Sequence, residues 1–269
     1  MDDGFDLAAL NAELEGTRYA GRLHYFPSID STNTYAMQQA EAGDDDGTVC
    51  FADRQTGGRG RGAHAWVSPP RSGLYMSVLL RPQIAPADIL WLSLAAGLAA
   101  QTAIRHLTSL QPDLRWPNDL LLGRRKFCGI LTELNAEVTR VRHAVVGIGI
   151  NVHQTQFPND LKNIATSLAI ETGRTWPRQE LLIALLRSLD REVTALSSSA
   201  GPQAAAHLIR DRLEAGSTWI RGKRVTVDEG EGFMGTTEGL DERGFLRVRT
   251  AEGVRTVLSG GVREAQQRS

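Results

Sequence analysis

The stretch TVCFADRQTGGRGRGAHAWVSPPRSGLYMSVLL, residues 48–80, decides the first half of the fold. Its two ends, 48–52 and 74–80, are apolar runs of the length that β-strands have. Between them lies a long segment rich in glycine, which closes on the turn sequence Ser-Pro-Pro at 68–70. The pattern therefore predicts two strands that are joined by a long glycine-rich loop.

The loop at 55–66 combines glycine with permanent positive charge, because glycines alternate there with Arg59 and Arg61. Glycine lets backbone amides approach a ligand closely, and guanidinium groups bind phosphate or carboxylate. The loop is not a Walker A motif, since Ala63 and His64 stand where that motif has Lys and Ser or Thr. We interpret it as an anion-binding loop, and a solvated loop with incidental arginines is the alternative interpretation.

The spacing of apolar residues predicts the other elements of this first part. Helical spacing predicts helices at 6–15, 86–107, 178–196 and 202–215, and a further helix capped by Asp30 or Ser31. Apolar runs predict strands at 22–27, 114–122, 126–134 and 141–152. Because Gly-Arg-Arg separates the runs 114–122 and 126–134, we expect a hairpin whose second strand opens at Lys126.

The character of the sequence changes near Thr218. Short apolar segments separated by turn residues predict strands at 224–227, 233–238, 245–249 and 255–258. We therefore divide the chain at 1–216 and 217–269, with the serines at 197–199 as a short linker inside the first part. A β module of this size has little core of its own, so we expect it to pack against the larger part.

The composition narrows the function classes. Among 269 residues, 30 Lys+Arg stand against 31 Asp+Glu, so nothing in the total charge suggests nucleic acid as a partner. Cys50 and Cys128 lack metal-ligand spacing and are expected to be buried reduced thiols. The acidic start MDDGFDLAAL does not have the pattern of a signal peptide, and no apolar run has the length of a membrane span. We expect a cytoplasmic protein without a membrane partner.

Two further motifs each leave alternatives open. Gly147 and Gly149 suggest a dinucleotide fingerprint, but Val152 occupies the third glycine position, so a Rossmann site is rejected. The two glycines could instead receive a flat ring or simply kink a strand for packing. Lys126 is one of only three lysines beside 27 arginines, which makes its place next to Arg124 and Arg125 slightly informative.

Five motifs taken in order resemble the biotin protein ligases: Asp30-Ser-Thr-Asn33, Gln55-Thr-Gly-Gly-Arg-Gly-Arg61, Trp116-Pro-Asn-Asp119, Lys126-Phe-Cys-Gly-Ile-Leu131 and Gly147-Ile-Gly-Ile-Asn151. The resemblance extends from residue 22 to about 152 and, more loosely, over the β module at Gly244 and 259–262. It implies an α+β catalytic domain with a mixed sheet, related to class II aminoacyl-tRNA synthetases, followed by a small SH3-like barrel.

The resemblance also implies which residues form the site. Those implied at biotin are Ser31, Thr32, Asn33, Gln55, Arg59, Gly60, Arg61, Lys126 and Gly129. Those implied at ATP are Arg59, Arg61, Trp66, Asn118, Lys126, Gly149, Ile150 and Asn151. Lys126, Arg61 and Asp119 are the candidate catalytic residues, and no metal ligand is assigned. Two roles stay open for Asp119, which could orient or deprotonate an attacking amine or could fix the hairpin turn.

The implied activity is that of an ATP-dependent ligase. It would form biotinyl-5'-AMP with Mg2+ present and transfer biotin to a lysine of a biotin carboxyl carrier protein, and a homodimer is left open. The sequence departs from the family pattern after Arg61, where Gly62 to Ala65 replace further arginines. About twenty residues precede the first strand, so we expect the monofunctional kind without a DNA-binding domain. A lipoate protein ligase and a biotin-sensing transcriptional regulator are the alternatives.

Overall fold

The computed structural model describes residues 4–197 and 202–265 and contains two β-sheets. The helices are α1 (Leu7–Glu13), α2 (Thr32–Ala42), α3 (Ile89–Thr108), α4 (Leu168–Thr172), α5 (Arg178–Leu196) and α6 (Pro202–Gly216). The strands before residue 200 are β1 (Leu23–Phe26), β2 (Val49–Ala52), β3 (Gly73–Leu80), β4 (Asp113–Arg115), β5 (Asp119–Leu122), β6 (Arg125–Ala136) and β7 (Val141–Asn151). The later strands are β8 (Arg221–Asp228), β9 (Phe233–Leu240), β10 (Leu246–Thr250), β11 (Gly253–Val257) and β12 (Gly261–Glu264).

The large sheet is mixed, and its strand order is β1-β2-β3-β7-β6-β5-β4. Strand β1 runs parallel to β2, whereas every other neighbouring pair is antiparallel. Helices cover both of its faces, with α2 packed on β2, β3 and β7, and α3 and α5 packed on the opposite side. The predicted α+β class with a mixed sheet is therefore confirmed.

Local sequence signals explain where the key helices begin and end. The Ser31 side chain caps α2 by accepting from the Thr34 N–H, and Gly43 ends the helix with a φ of +101°. Of the two predicted caps, Ser31 is thus the one used. Helix α3 and the short turn before it, Pro86–Thr108, are long and apolar enough to cross a membrane by composition, but most of this segment is buried inside the protein. It is the core helix that backs the large sheet.

The predicted strand at 114–122 is wrong in its middle. It is two strands, β4 and β5, because Pro117 has no N–H to donate to a sheet and the chain turns there between Arg115 and Asp119. The expected hairpin is consequently a three-stranded meander of β4, β5 and β6. Its last strand opens at Arg125, one residue before the predicted Lys126.

Beyond Thr218 the chain forms a five-stranded antiparallel sheet in the order β11-β10-β9-β8-β12. Its last strand was not predicted. The sheet packs on the larger part: the Trp116 indole N–H donates to the Gly244 carbonyl at 2.9 Å, and that of Trp91 donates to Glu242 at 3.3 Å. One buried apolar cluster continues from the large sheet into this one. The division after residue 216 and the SH3-like barrel stay predictions, and most of the serine linker lies outside the described residues.

Candidate active site

Two neighbouring strands of the large sheet carry glycine where most strands carry side chains. On the face that also holds α2, Gly129 of β6 lies beside Gly149 of β7, and Gly147 follows on the same face. A Cβ at Gly149 would lie 2.5 Å from Trp66 Nε1, and one at Gly147 would lie 2.0 Å from Asn33 Oδ1. Only glycine therefore lets these two side chains rest against the sheet.

This glycine trough is the floor of a cleft with about 440 Å3 of empty space, its open mouth included. The start of α2, the glycine-arginine loop and the ends of β6 and β7 enclose it. The residues that line the cleft are Ser31, Thr32, Asn33, Gln55, Arg59, Gly60, Arg61, Trp66, Tyr75, Met76, Asn118, Lys126, Gly129, Ile130, Leu131, Gly147, Ile148 and Gly149.

The glycine-arginine loop folds over the cleft as a short hairpin. The Gly60 N–H donates to the His64 carbonyl at 2.7 Å, and the Trp66 N–H donates to the Gly58 carbonyl at 2.9 Å. Gly62 turns the chain with a φ of +65°, which favours glycine. Of the described side chains in this turn after the second arginine, none of Gly62, His64 and Ala65 lines the cleft.

Lys126 reaches the cleft from β6 with its ammonium held by a carboxylate. Lys126 Nζ lies 2.5 Å from Asp119 Oδ1, and Arg115 Nη2 donates to Asp119 Oδ2 at 2.6 Å. Burial raises the pKa of Asp119, but the charges and hydrogen bonds of Lys126 and Arg115 outweigh it and hold that pKa below its ordinary value. Asp119 is therefore an ionised anchor that fixes the ammonium group, which also lies 5.3 Å from the centre of the Trp66 ring.

The two loop arginines reach in different directions. Arg59 Nη2 donates to Glu133 Oε1 at 2.7 Å, whereas Arg61 Nη2 contacts the carbonyl oxygen of Gly260 in the C-terminal sheet. Burial lowers the pKa of Arg61, and the charge of Asp119 opposes this effect. A guanidinium group nevertheless remains protonated at neutral pH. With the lysine ammonium, three positive groups border one cleft.

A chain of hydrogen bonds runs beneath the loop. Gln55 Oε1 accepts from the Thr32 N–H at 2.9 Å and from the Thr32 hydroxyl at 3.1 Å. Ser77 Oγ lies 2.7 Å from Thr32 Oγ1 and 2.6 Å from Asn33 Oδ1. Asn33 Nδ2 in turn donates to Glu133 Oε2 at 3.0 Å. These side chains are buried or half-buried, so each one fixes the position of the next.

Comparisons with known proteins agree with this geometry. The model of the biotin/lipoate A/B protein ligase family matches residues 25–151, and that of the biotin protein ligase C-terminal domain matches residues 221–262. The biotin–[acetyl-CoA-carboxylase] ligase of Mycobacterium tuberculosis is 35% identical over 85% of this chain and 82% of its own length. The bifunctional ligase/repressor BirA of Bacillus subtilis is 33% identical over 89% of this chain and 73% of its own.

A solved structure leads to the same family. The biotin protein ligase from Aquifex aeolicus, in complex with biotin and ATP, superimposes with a TM-score of 0.76 at 31% identity, covering 90% of this chain and 97% of that one. The chain belongs to the biotin protein ligase family. It is a ligase enzyme, and the resemblance seen in its sequence motifs is confirmed.

Most of the residues that the sequence suggested for this biotin protein ligase border the cleft. Three of them do not line it. Asp119 lies behind Lys126, and Ile150 is fully buried. Asn151 is buried and donates from Nδ2 to the Thr166 carbonyl at 3.0 Å. Asn118 does line the cleft, while its Nδ2 donates to the Ile130 carbonyl at 2.7 Å and pins the turn onto β6.

Sequence reasoning missed two polar residues that lie beneath the ligase cleft, Ser77 and Glu133. Ser77 is a lone polar residue in the apolar run of β3, and Glu133 follows Thr132 near the end of β6. Glu133 also follows Gly129 by four positions, which places both on one face of a strand. That spacing could have indicated it, but the contact with Asn33 depends on how the strands and α2 pack together.

Proposed function

We propose that this ligase couples biotin to a protein lysine through an acyl-adenylate. In the first half-reaction an oxygen of the biotin carboxylate attacks the α-phosphorus of ATP, and the bond from this phosphorus to pyrophosphate breaks. The products are biotinyl-5'-AMP and pyrophosphate. The Aquifex relative, solved with biotin and ATP, supports both molecules as the substrates.

The convergence of three positive groups carries this proposal. A carboxylate and a triphosphate are both anionic, so they meet only where positive charge offsets their repulsion. Lys126, Arg59 and Arg61 all border the cleft. Because Asp119 holds the lysine ammonium beside it, this charge is in place before the substrates bind.

The two ends of the cleft suit the two substrates. The small polar residues Ser31, Thr32 and Gln55 can pair with the ureido group of biotin, a ligand that is otherwise largely apolar. Asn33 supports them, although both ends of its amide are already bonded to protein atoms. We assign Trp66, Gly149 and Asn118, which line the cleft, to the nucleotide, and Ile150 and Asn151 to the wall behind it.

In the second half-reaction a lysine amine of a biotin carboxyl carrier protein attacks the carbonyl carbon of the mixed anhydride. The bond to AMP breaks, an amide forms and the nitrogen loses a proton. The geometry speaks against deprotonation of the amine by Asp119 and supports a role that the sequence did not suggest, that of an anchor for the Lys126 ammonium. The oxygens of Asp119 are occupied by Lys126 and Arg115, and its low pKa makes it a weak base.

Mg2+ fits this cleft as part of the nucleotide substrate. In residues 4–197 and 202–265, no group of three or more His, Cys, Asp or Glu is placed to hold a metal ion. Mg2+ on a nucleotide is held largely by phosphate oxygens and water and needs few protein ligands. We therefore assign no protein ligand to it, and its charge would add to that of the arginines and the lysine.

A labelling experiment tests this function. The purified protein is incubated with ATP, Mg2+ and a biotin carrier domain, with biotin in one reaction and lipoate in another. We expect the carrier to gain the mass of one biotinyl group, and only when ATP is present. Labelling by lipoate alone would identify a lipoate protein ligase. Specific DNA binding without any labelling, measured on filters, would favour the transcriptional regulator.

A further inference from the structure

We propose that Glu133 is a positioning residue for Arg59. It ties the Arg59 guanidinium to the hydrogen-bonded floor of the cleft, so that this positive group stands at the cleft before the substrate carboxylate arrives. The inference deepens the proposed activation of biotin and rests on it. Glu133 does not line the cleft and is not a catalytic residue.

The two oxygens of Glu133 serve two different parts of the molecule. Oε1 accepts from Arg59 Nη2, in the loop, at 2.7 Å. Oε2 accepts from Asn33 Nδ2, at the start of α2, at 3.0 Å. The Glu133 side chain is only 25% exposed, whereas that of Arg59 is 48% exposed. A half-buried carboxylate thus holds a solvent-facing cation to a buried amide.

These hydrogen bonds form a closed series that begins and ends in the glycine-arginine loop. From Gln55 in the loop, they connect Thr32, Ser77 and Asn33 in turn. Glu133 then connects Asn33 back to the loop at Arg59, four residues after Gln55. In the described part of the chain, the Arg59 guanidinium has no other hydrogen bond. Loss of Glu133 would therefore release the Arg59 side chain, while backbone hydrogen bonds and Gln55 still hold the loop.

The ion pair leaves Arg59 able to bind substrate. A guanidinium group has five N–H donors, and Glu133 takes one of its nitrogens. The remaining N–H groups can donate to a carboxylate or phosphate oxygen. Since the arginine is already ordered, substrate binding does not have to pay the entropy of fixing a long side chain. The effect of Glu133 should therefore fall on substrate capture more than on the chemical step.

The first test compares Glu133→Ala with Glu137→Ala. Glu137 pairs with Arg140 and Arg142 at the exposed turn after β6, away from the cleft. From the usual strength of charge-assisted hydrogen bonds, we expect Glu133→Ala to raise the KM for biotin by about 10- to 100-fold. The kcat of pyrophosphate release should change by less than about threefold. Glu137→Ala should leave both constants unchanged.

Glu133→Gln keeps the shape of the side chain and guards against a variant that fails to fold. The neutral amide has one oxygen acceptor, so it can serve Arg59 or Asn33 but not both. We expect its KM for biotin to lie between those of the parent enzyme and Glu133→Ala. A KM equal to that of the parent enzyme would show that the two-sided carboxylate is not needed and would overturn the proposal.

A double-mutant cycle separates positioning from a general structural role. In an Arg59→Ala background there is no guanidinium to hold, so Glu133→Ala should raise the KM further by less than about twofold. Effects that multiply fully, or a kcat that falls as far as the KM rises, would overturn the role of Glu133. If the parent enzyme released no pyrophosphate with biotin, the proposed function itself would fail instead.

Discussion

Two of the cationic side chains at the cleft of this ligase are each paired with a carboxylate. Lys126 is held by Asp119, and Arg59 is held by Glu133, so each cation is oriented by a carboxylate that stays outside the cleft. Because these groups are already ordered, little reorganisation free energy is needed at the moment of reaction. The consequence is that the cations, and not the carboxylates, should control the chemical step.

Lys126→Ala should lower the rate of adenylate formation by orders of magnitude. The change removes an ammonium group from the point where two anionic substrates meet. We expect a loss of about 100-fold or more in biotin-dependent pyrophosphate release. Lys162→Ala is the control, because Lys162 is an exposed lysine that does not line the cleft. Equal rates in the two variants would contradict the role of Lys126.

Asp119→Asn should destabilise the enzyme in a way that depends on pH. The folded pKa of Asp119 is lowered, so its ionised form stabilises the fold above the unfolded pKa, and this stability is lost as pH falls through the folded pKa. At pH 7 the variant should lose about 3 kcal/mol in the free energy of unfolding, because Lys126 and Arg115 lose their partner. Urea denaturation from pH 7 down to about pH 2 should show the difference in stability between parent and variant narrowing below the ordinary aspartate pKa of about 3.9. A difference in the free energy of unfolding that stays constant with pH would contradict the lowered pKa of Asp119.

The sequence predicted the long strands better than the short elements. The apolar runs predicted β2, β3, β6 and β7 closely, because alternating or continuous apolar patterns are local. The sequence missed α4 and β12, which have only five and four residues and depend on their neighbours. It also predicted one continuous strand across the turn at Pro117, where the structure has β4 and β5.

The candidate site was predictable where it depended on motifs. The cleft residues of the loop, of the lysine strand and of the start of α2 could be named because their motifs resemble those of the biotin protein ligases. Ser77 and Glu133 could not, because their contacts require the pairing of β3 with β7 and of β7 with β6. Strand register is a tertiary property, which no single run of residues contains.

The glycine-arginine loop gives a prediction at the scale of an element. Arg61→Gly removes both the charge over the cleft and the contact with Gly260, so the loop should retain the reactive anhydride less well. We expect about tenfold more adenylate to escape, with a matching rise in nonspecific labelling of added protein. Arg54→Gly is the control, since Arg54 is exposed at the start of the same segment and does not line the cleft. Equal leakage from both variants would contradict the retention role.

In the whole molecule, the C-terminal sheet lies beside the cleft. Arg61 contacts the Gly260 carbonyl, and Trp116, next to the turn that carries Asn118, donates to Gly244. The second sheet is thus bonded both to the loop over the cleft and to the turn that lines it. This arrangement predicts that its packing matters for the stability of the whole chain.

Gly244→Ala tests that packing against a matched glycine. Gly244 has a φ of +85°, and a Cβ there would lie 3.1 Å from Leu94 Cδ1 of α3. Gly16 has a similar φ of +82°, but a Cβ there would have no neighbour within 4 Å. Both changes strain the backbone alike, so the added crowding at Leu94 should make Gly244→Ala cost about 1 kcal/mol more in the free energy of unfolding. Equal losses on denaturation would contradict tight packing of the Gly244 turn against α3.

The central claim is that this ligase activates biotin as an acyl-adenylate before any carrier protein binds. Exchange of labelled pyrophosphate into ATP tests it most directly, because the label enters ATP only if the first half-reaction is reversible and independent of the carrier. The account predicts rapid exchange that requires biotin and disappears in Lys126→Ala. The absence of biotin-dependent exchange by an enzyme that still labels the carrier would contradict it.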